Sequence, residues 1–189
     1  MHKSSLLNME RFVATYLGNL AGSQLRIADL GSQNVNGSYK PLFHCPQWQY
    51  VGIDMVPGNN VDVVLTNIYD WFELASQSFD VVISGQVLEH VEYFWITILE
   101  IRRIMKPGGF CCLIAPSGGP EHRYPVDCWR IYPDGFRALA RYAGLDVLEV
   151  YVQWDQKQYP DRDPLWQDCV LIARRPAILQ ELRPIKDEG

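Results

Sequence analysis

Two aspartates in the first third of the chain stand where short apolar runs end. Asp29 lies near the end of Leu25–Gly31 and Asp54 at the end of Tyr50–Asp54, 25 residues further on. A carboxylate only accepts hydrogen bonds and a diol offers two donors, so an acidic residue at an offset of about 20 residues suits ribose hydroxyls. The pair predicts an adenosine-type ligand. Asp and Gly also end strands that bind nothing, and this structural explanation stays open at this point.

Helical patterns surround these two strands. Apolar residues recur at helical spacing over Leu6–Leu20, which predicts an amphipathic helix at about residues 5–21. The same spacing over Val91–Met105, and a segment opened by proline at Pro133–Gly144, predict two more helices. The small, polar turn Ser32–Ser38 after the first strand can open a further helix.

Apolar segments of strand length alternate with these helices. They lie at Leu25–Gly31, Tyr50–Asp54, Val61–Thr66, Phe79–Ser84, Phe110–Ala115, Asp146–Val152 and Asp168–Ala173. Strands that alternate with helices imply a parallel α/β sheet with right-handed crossovers. The two adjacent strands at the end imply an antiparallel hairpin at one edge.

Composition excludes several classes of partner. The chain has 189 residues, 48% of them hydrophobic, which predicts one domain over residues 1–189 with a core of its own. Its net charge is −5 and no run of Lys or Arg exceeds two residues, so no nucleic acid partner is expected. Apolar stretches are far shorter than the roughly 20 residues of a membrane span. We therefore expect a soluble, cytoplasmic protein with no membrane partner, and the sequence does not indicate its oligomeric state.

The five cysteines do not suggest a metal centre or a disulfide framework. Their number is odd, and neither a Cys-x-x-Cys pair nor a His-x-x-x-His pair is present. Cys111 and Cys112 lie in an apolar, strand-like run and are expected to pack as small hydrophobes. No metal is expected.

Four motifs occur in an order and spacing that are specific when taken together. They are Ile27–Ser32, the strand-end Asp54, Ser78–Ser84 with Val87–Val91, and Ile104–Phe110. With these motifs the chain resembles the class I S-adenosylmethionine-dependent methyltransferases from about Leu25 to Ala173. The resemblance implies a doubly wound, mostly parallel seven-stranded sheet of order 3-2-1-4-5-7-6, with the last strand antiparallel and helices on both faces.

The same resemblance implies a set of contacts to S-adenosylmethionine. Asp29, Gly31 and the turn at Ser32 and Gln33 would hold the amino acid part of the cofactor. Asp54 would accept the ribose hydroxyls. The other implied contacts are Met55 on an adenine face, Asn67 at the exocyclic amine, and Ser84, Gly85 and Gln86 near the methionine portion and the methyl group.

One position departs from the family pattern. Relatives commonly carry Gly-x-Gly-x-Gly after the first strand, and Gln33 stands where the second glycine is expected. Either the turn is wider or a side chain occupies part of the carboxylate pocket. A dinucleotide fold needs Gly-x-Gly-x-x-Gly for close approach of its pyrophosphate, so the departure counts against the alternative of an NAD-type oxidoreductase. A protein that binds the cofactor without catalysis is the other alternative.

A polar loop after the fifth strand carries the candidates for chemistry. Ligands of open α/β sheets bind at the carboxyl edge, where Ser117–Arg130 must lie. Methyl transfer to a hydroxyl needs a base, and His122 is the leading candidate, with Asp127 or Glu121 to orient its imidazole. Asp127 and Arg130 could instead form an ion pair that shapes the loop.

His90, at the predicted start of the crossover helix, is the second candidate base. A histidine that is merely hydrogen-bonded at a helix start explains it equally well. Tyr124, Trp129 and Trp154 could stack on an acceptor or serve as rim hydrophobes. The prediction is an enzyme that methylates a small-molecule acceptor, most specifically a hydroxyl of a sugar or related metabolite.

Overall fold

The computed structural model describes residues 2–177 and contains a seven-stranded sheet of order β3-β2-β1-β4-β5-β7-β6. Pairing is parallel except for β7, which is antiparallel to both β5 and β6. The strands are β1 Leu25–Leu30, β2 Trp48–Asp54, β3 Val63–Val64, β4 Phe79–Gly85, β5 Met105–Pro116, β6 Asp146–Val152 and β7 Asp168–Arg174. The helices are α1 Lys3–Phe12, α2 Phe94–Ile104 and α3 Pro133–Tyr142. The predicted strand order is confirmed, and the predicted domain extends past this part into residues 178–189.

Alternate residues of the central strands face two separate cores. In β4, Val82 packs with α2 and α3, whereas Val81 and Ile83 pack with α1. Cys111 and Cys112 in β5 are divided in the same way and both are fully buried. Helices therefore cover both faces, and the central strands are apolar on both sides for this reason. Within residues 2–177, no helix is long and apolar enough to cross a membrane.

The connection between β1 and β2 differs from the prediction. Residues 31–38 form turns and bends, and the only helical piece between these two strands is a 3-10 turn at Lys40–Leu42. The expectation that Ser32–Ser38 opens a helix was wrong, because Gly37 has φ 123° and Pro41 lacks a backbone donor. The buried side chains of Tyr39 and Phe43 cover the sheet where a helix would otherwise lie.

The third strand is shorter than predicted. Val61–Thr66 contributes only Val63–Val64 to the sheet. The reason is that the backbone N and Oγ1 of Thr66 both donate to Glu73 Oε1, at 2.9 and 2.8 Å, instead of to a neighbouring strand.

The crossover helix also begins later than predicted, at Phe94. Leu88–His90 forms a separate 3-10 turn, and Val91 after it is extended. The helix ends at Ile104 as expected, but Lys106–Gly109 belongs to the start of β5. His90 thus lies in a turn between β4 and α2.

The N-terminal helix is anchored at the carboxyl edge of the sheet. After α1 the chain continues through a π-helical turn, Val13–Leu17, and a 3-10 turn, Gly18–Leu20. The fully buried Asp168 carboxylate accepts hydrogen bonds from Ser4 Oγ at 2.8 Å and Gln86 Nε2 at 3.0 Å, and His2 Nε2 lies 2.8 Å from it. Asp168 therefore ties α1 to the loop after β4.

We expect Gly52→Ala to destabilise the protein by roughly 1 to 3 kcal/mol, because a Cβ at Gly52 would lie 1.8 Å from the backbone oxygen of Asn60. The free energy of unfolding in urea measures this. Gly22→Ala is the matched control, since nothing lies within 4 Å of a Cβ there, and we expect a change below about 0.5 kcal/mol. Equal effects of the two variants would contradict the close approach at Gly52.

Candidate functional site

Asp29 is a buried residue near the carboxyl end of β1, which lies between β2 and β4 in the sheet. It pairs in register with Gly52 on one side and Ile83 on the other, and its side chain is 3% exposed overall. The hydroxyl of Tyr50 donates to its Oδ2. Burial raises the pKa of Asp29 to about 7. The negative charge of Asp54 also raises this pKa, whereas the hydrogen bond from Tyr50 lowers it. A cationic group beside Asp29 would favour its ionised form.

The turn after β1 is held close to β2. Gly31 and Ser32 donate their backbone N–H groups to Ile53 O at 2.9 and 3.2 Å. Gly31 has φ 75°, and a Cβ there would lie 2.2 Å from Val87 Cγ2, so the position needs glycine for two reasons. The Oγ of buried Ser32 donates to Asn60 O at 2.9 Å.

Gln33 fits the turn through its backbone. Its N–H donates to Asp54 Oδ2 at 3.0 Å, and its side chain lies against Gly58, where Nε2 would be 2.7 Å from a Cβ. The residue that replaces the expected glycine thus joins the turn after β1 to the loop after β2.

The Asp54 carboxylate is oriented by three backbone donors. Besides Gln33, Met55 N and Val56 N donate to Oδ1 at 2.7 and 3.2 Å. The side chain remains partly exposed at the end of β2. Carboxylate oxygens accept more than one hydrogen bond, so both oxygens keep capacity for hydroxyl donors of a ligand.

A mainly apolar cleft opens beside Asp54. The cleft is lined by Leu30, Gly31, Ile53, Asp54, Met55, Leu65, Ile68, Trp71, Ser84, Val87, Leu88, Val91 and Thr97. Four of the predicted cofactor residues thus line one pocket. Asn67 is exposed nearby, and its Oδ1 accepts a hydrogen bond from Tyr69 N at 2.8 Å, so part of its acceptor capacity is used by the turn.

The end of β4 brings the next predicted residues to the same edge. Buried Ser84 donates to Leu30 O at 3.2 Å. Gly85 is required because a Cβ there would lie 1.9 Å from Tyr39 Oη. Gln86 has φ 62° and its side chain reaches Asp168, so it also connects the cofactor edge to the contacts of α1.

The two predicted base candidates meet each other in space. The rings of His90 and His122 are edge to face with centroids 4.8 Å apart, and His122 also packs on Trp166 at 4.5 Å. His90 Nδ1 lies 2.6 Å from Val126 O. Burial lowers the pKa of His122, in opposition to the charge of Asp127.

A third titratable group joins this pair. Glu89 is fully buried, with Oε1 3.7 Å from His90 Nε2, and neither of its oxygens has a hydrogen-bond partner within residues 2–177. Burial raises the pKa of Glu89 to about 8. One ligand atom from each of Glu89, His90 and His122 lies within 4.8 Å of the others.

Asp127 is engaged chiefly by Arg130. Both carboxylate oxygens accept from the guanidinium, at 2.7 and 2.8 Å, and Oδ2 also accepts from His122 N at 2.7 Å. The hydrogen bonds from Arg130 hold the pKa of Asp127 well below its usual range. The ion pair considered as an alternative is present and shapes the loop, while Oδ2 remains 3.4 Å from His122 Nδ1.

Several residues of this edge were not predicted as functional. Tyr50 and Asn60 interact with the turn after β1, since Asn60 Nδ2 donates to Ser32 O at 3.0 Å and to Tyr50 Oη at 3.2 Å. Glu89 lay in a recognised motif, but its burial depends on tertiary contacts. Asp168 is the first residue of β7. Because β7 runs antiparallel to β5, its first residue lies at the carboxyl edge of the sheet, opposite Pro116.

An open, mostly parallel sheet with polar side chains at its carboxyl edge defines a doubly wound, Rossmann-like α/β protein. Residues 29–113 match the family model described as "Methyltransferase domain". The match includes Asp29, Asp54 and the Leu88–His90 turn. No curated protein matches the sequence significantly.

Solved structures share the fold at low sequence identity. A 1,6-didemethyltoxoflavin-N1-methyltransferase from Burkholderia thailandensis, with bound 1,6-didemethyltoxoflavin and S-adenosylhomocysteine, has TM-score 0.67 and 15% identity, covering 92% of this chain and 80% of that one. A provisionally assigned sarcosine dimethylglycine methyltransferase from Galdieria sulphuraria has TM-score 0.66 and 14% identity, with coverage of 92% and 87%. An S-adenosylmethionine-dependent methyltransferase from Archaeoglobus fulgidus has TM-score 0.61 and 14% identity, with coverage of 90% and 95%.

The domain match and the strand order agree with each other. Residues 29–113 match a methyltransferase domain, and the sheet has the fold of solved S-adenosylmethionine-dependent methyltransferases, so the chain is similar to this class of enzyme. The alternative of an NAD-type oxidoreductase has no support from these matches.

We expect Asp29→Asn to stabilise the protein more at pH 8 than at pH 5. The pKa of Asp29 is raised from 3.8 to about 7 in the folded state, so the folded chain holds a proton that the unfolded chain releases. Wild-type stability therefore falls as the pH rises through this window, and the penalty is complete above pH 7. The variant avoids it, by roughly 1 to 4 kcal/mol at pH 8.

Urea unfolding at both pH values measures the gain. The exposed Asp146→Asn is the matched control and should change stability little at either pH. A gain for Asp29→Asn that is equal at pH 5 and pH 8 would contradict the assigned ionisation.

Proposed function

We propose that this methyltransferase transfers the methyl group of S-adenosylmethionine to a hydroxyl of a small molecule, with a sugar or related metabolite as acceptor. The observation that carries the proposal is the meeting of His90 and His122 beside the edge where Asp29, Asp54 and Ser84 lie. Groups for holding the donor and groups for activating an acceptor thus lie on adjoining loops.

We assign the amino acid end of the cofactor to the turn around Asp29. Its carboxylate is buried without a lysine or arginine partner in residues 2–177, and a ligand ammonium would supply the missing positive charge. Backbone and side-chain groups of Gly31, Ser32 and Gln33 would complete this end.

The adenosine end is assigned to Asp54 and the apolar cleft. Three backbone N–H groups fix the Asp54 carboxylate, so it is pre-oriented for two ribose hydroxyls. Met55, 39% exposed, is available for the adenine face, and Asn67 keeps a lone pair for an exocyclic amine.

The methyl group would lie near Ser84, Gly85 and Gln86. In an in-line displacement the acceptor oxygen forms the O–C bond while the C–S bond breaks, and the electron pair stays on sulfur. The sulfonium is already activated, so the protein contributes alignment and removal of the hydroxyl proton. We assign removal of the hydroxyl proton to the group formed by His90, His122 and Glu89. Asp127 is a positioning residue for the loop.

Exposed aromatic side chains favour a sugar acceptor. Tyr132 and Trp154 are 54% and 50% exposed and stack edge to face at 5.7 Å. Trp154 Nε1 donates to Ser117 Oγ at 2.9 Å, which fixes this platform at the end of β5. Trp129 is less available as a stacking surface, because its Nε1 donates to Val91 O at 3.0 Å.

We expect the chain to bind S-adenosylhomocysteine, and Asp54→Asn to weaken that binding about 10- to 100-fold, because a charge-assisted hydrogen bond contributes about 1.5 to 3 kcal/mol. Isothermal titration measures both, with Asp146→Asn as control. Binding of NADH but not S-adenosylhomocysteine would favour the oxidoreductase alternative. Binding without labelled methyl transfer to any sugar or metabolite in an extract would favour the non-catalytic alternative.

We expect Trp154→Ala to raise the KM for the acceptor about 3- to 10-fold and to leave the Kd of S-adenosylhomocysteine unchanged, because the stacking surface is lost while the residues assigned to the cofactor are untouched. Steady-state methyl transfer with a labelled donor measures KM. Tyr142→Ala is the matched control, since Tyr142 is exposed at the end of α3 that leads to the opposite edge of the sheet. An equal rise in both variants would argue against a platform at Trp154.

A further inference from the structure

The cluster of Glu89, His90 and His122 is unusual because its carboxylate is buried without a hydrogen bond to either oxygen within the described residues. Glu89 has no exposed surface, and both side-chain oxygens are unpartnered within residues 2–177. A buried carboxylate without a hydrogen bond or counter-charge costs several kcal/mol of stability, so such groups are rarely left alone. Arg130 supplies opposite charge nearby, but the hydrogen bonds of its guanidinium go to Asp127, Trp129 O and Pro120 O rather than to Glu89.

Both imidazoles are arranged so that a nitrogen can be a ligand. His90 Nδ1 lies 2.6 Å from Val126 O, a distance at which Nδ1–H donates to the carbonyl. This tautomer leaves the lone pair on Nε2, the atom 3.7 Å from Glu89 Oε1. A histidine that ligates through one nitrogen while donating from the other to a backbone carbonyl is the usual arrangement around metals.

His122 brings the third group from a different loop. Its Nδ1 has no hydrogen-bond partner in the described part of the chain, and its side chain is 39% exposed. Ligand atoms about 2.0 to 2.2 Å from one ion lie roughly 3 to 3.6 Å apart. The ligand atoms of the cluster lie within 4.8 Å of one another, so a bound ion would draw them closer by about 1 to 2 Å.

We propose that Glu89, His90 and His122 bind one divalent transition-metal ion at the acceptor side of the site. Two imidazoles and one carboxylate suit zinc, iron, cobalt or manganese rather than calcium or magnesium. This proposal departs from the expectation of no metal, which followed from the absence of sequence-adjacent ligand pairs. The ligands come instead from the turn after β4 and the loop after β5.

Three protein ligands leave an open position for the acceptor hydroxyl. A bound cation lowers the pKa of such a hydroxyl, so its proton leaves to solvent at the open edge. The alkoxide then takes the methyl group, the C–S bond breaks, and neutral S-adenosylhomocysteine results. This role in methyl transfer rests on the proposed function, whereas binding of the ion does not.

The test is titration of untagged protein with Co²⁺, followed by calorimetry and by the d–d absorption of the bound ion. We expect one Co²⁺ per chain, and at least tenfold weaker binding for His122→Ala, His90→Ala and Glu89→Gln. His44→Ala is the matched control, since His44 lies exposed in the connection between β1 and β2 and should bind Co²⁺ as the wild type does. Affinity for S-adenosylhomocysteine, measured on every variant, reports whether the fold is intact.

Failure of the wild type to take up Co²⁺ at millimolar concentration would overturn the inference, as would undiminished binding by His122→Ala. Retained S-adenosylhomocysteine binding would leave the methyltransferase assignment standing in either case. Conversely, Co²⁺ binding that the three variants abolish would support the metal site even if no sugar were methylated.

Discussion

The carboxyl edge of this sheet must hold three buried carboxylates without a lysine or arginine partner among residues 2–177. Asp29, Glu89 and Asp168 are 3%, 0% and 0% exposed. An ionised, unpartnered carboxylate at any of these positions would lower the stability of the fold, so the neighbouring side chains determine how each one is accommodated. Asp168 accepts hydrogen bonds from side chains of α1 and from Gln86, and Asp29 accepts one from Tyr50. Glu89 lies beside the imidazole of His90 and accepts no hydrogen bond within the described residues.

This arrangement suits the positively charged ligands that we propose. S-adenosylmethionine carries an ammonium and a sulfonium, and a transition-metal ion carries two charges. The pKa of Asp29 and of Glu89 is raised by burial, and a cation bound beside either carboxylate would reverse that effect. Burial of these carboxylates would therefore favour binding of the proposed cations.

Asp168 has a further structural consequence. Because it fastens α1 beside Gln86, the N-terminal helix is joined to the loop that we assign to the methyl group. Ser5 Oγ lies 2.5 Å from Tyr39 Oη, and Tyr39 in turn packs where Gly85 has no side chain. Burial raises the pKa of Tyr39, so it stays a neutral hydroxyl in this network. The helix is thus hydrogen-bonded to residues at the carboxyl edge as well as packed on one face of the sheet.

The sequence by itself determined the α/β class, the two strand-end aspartates and the helix opened by Pro133, because each depends on local periodicity, turn residues or motif spacing. The strand order was implied by the family resemblance that these motifs carry. Predictions from the sequence were wrong where tertiary contacts override the local pattern. Ser32–Ser38 opens no helix, and Thr66 is hydrogen-bonded to Glu73 instead of pairing in the sheet. Only the tertiary structure placed His122 against His90 and left Glu89 buried between two loops. Side chains about 30 residues apart meet there because parallel strands end at one edge, and no pattern along the chain encodes which of their loops will touch.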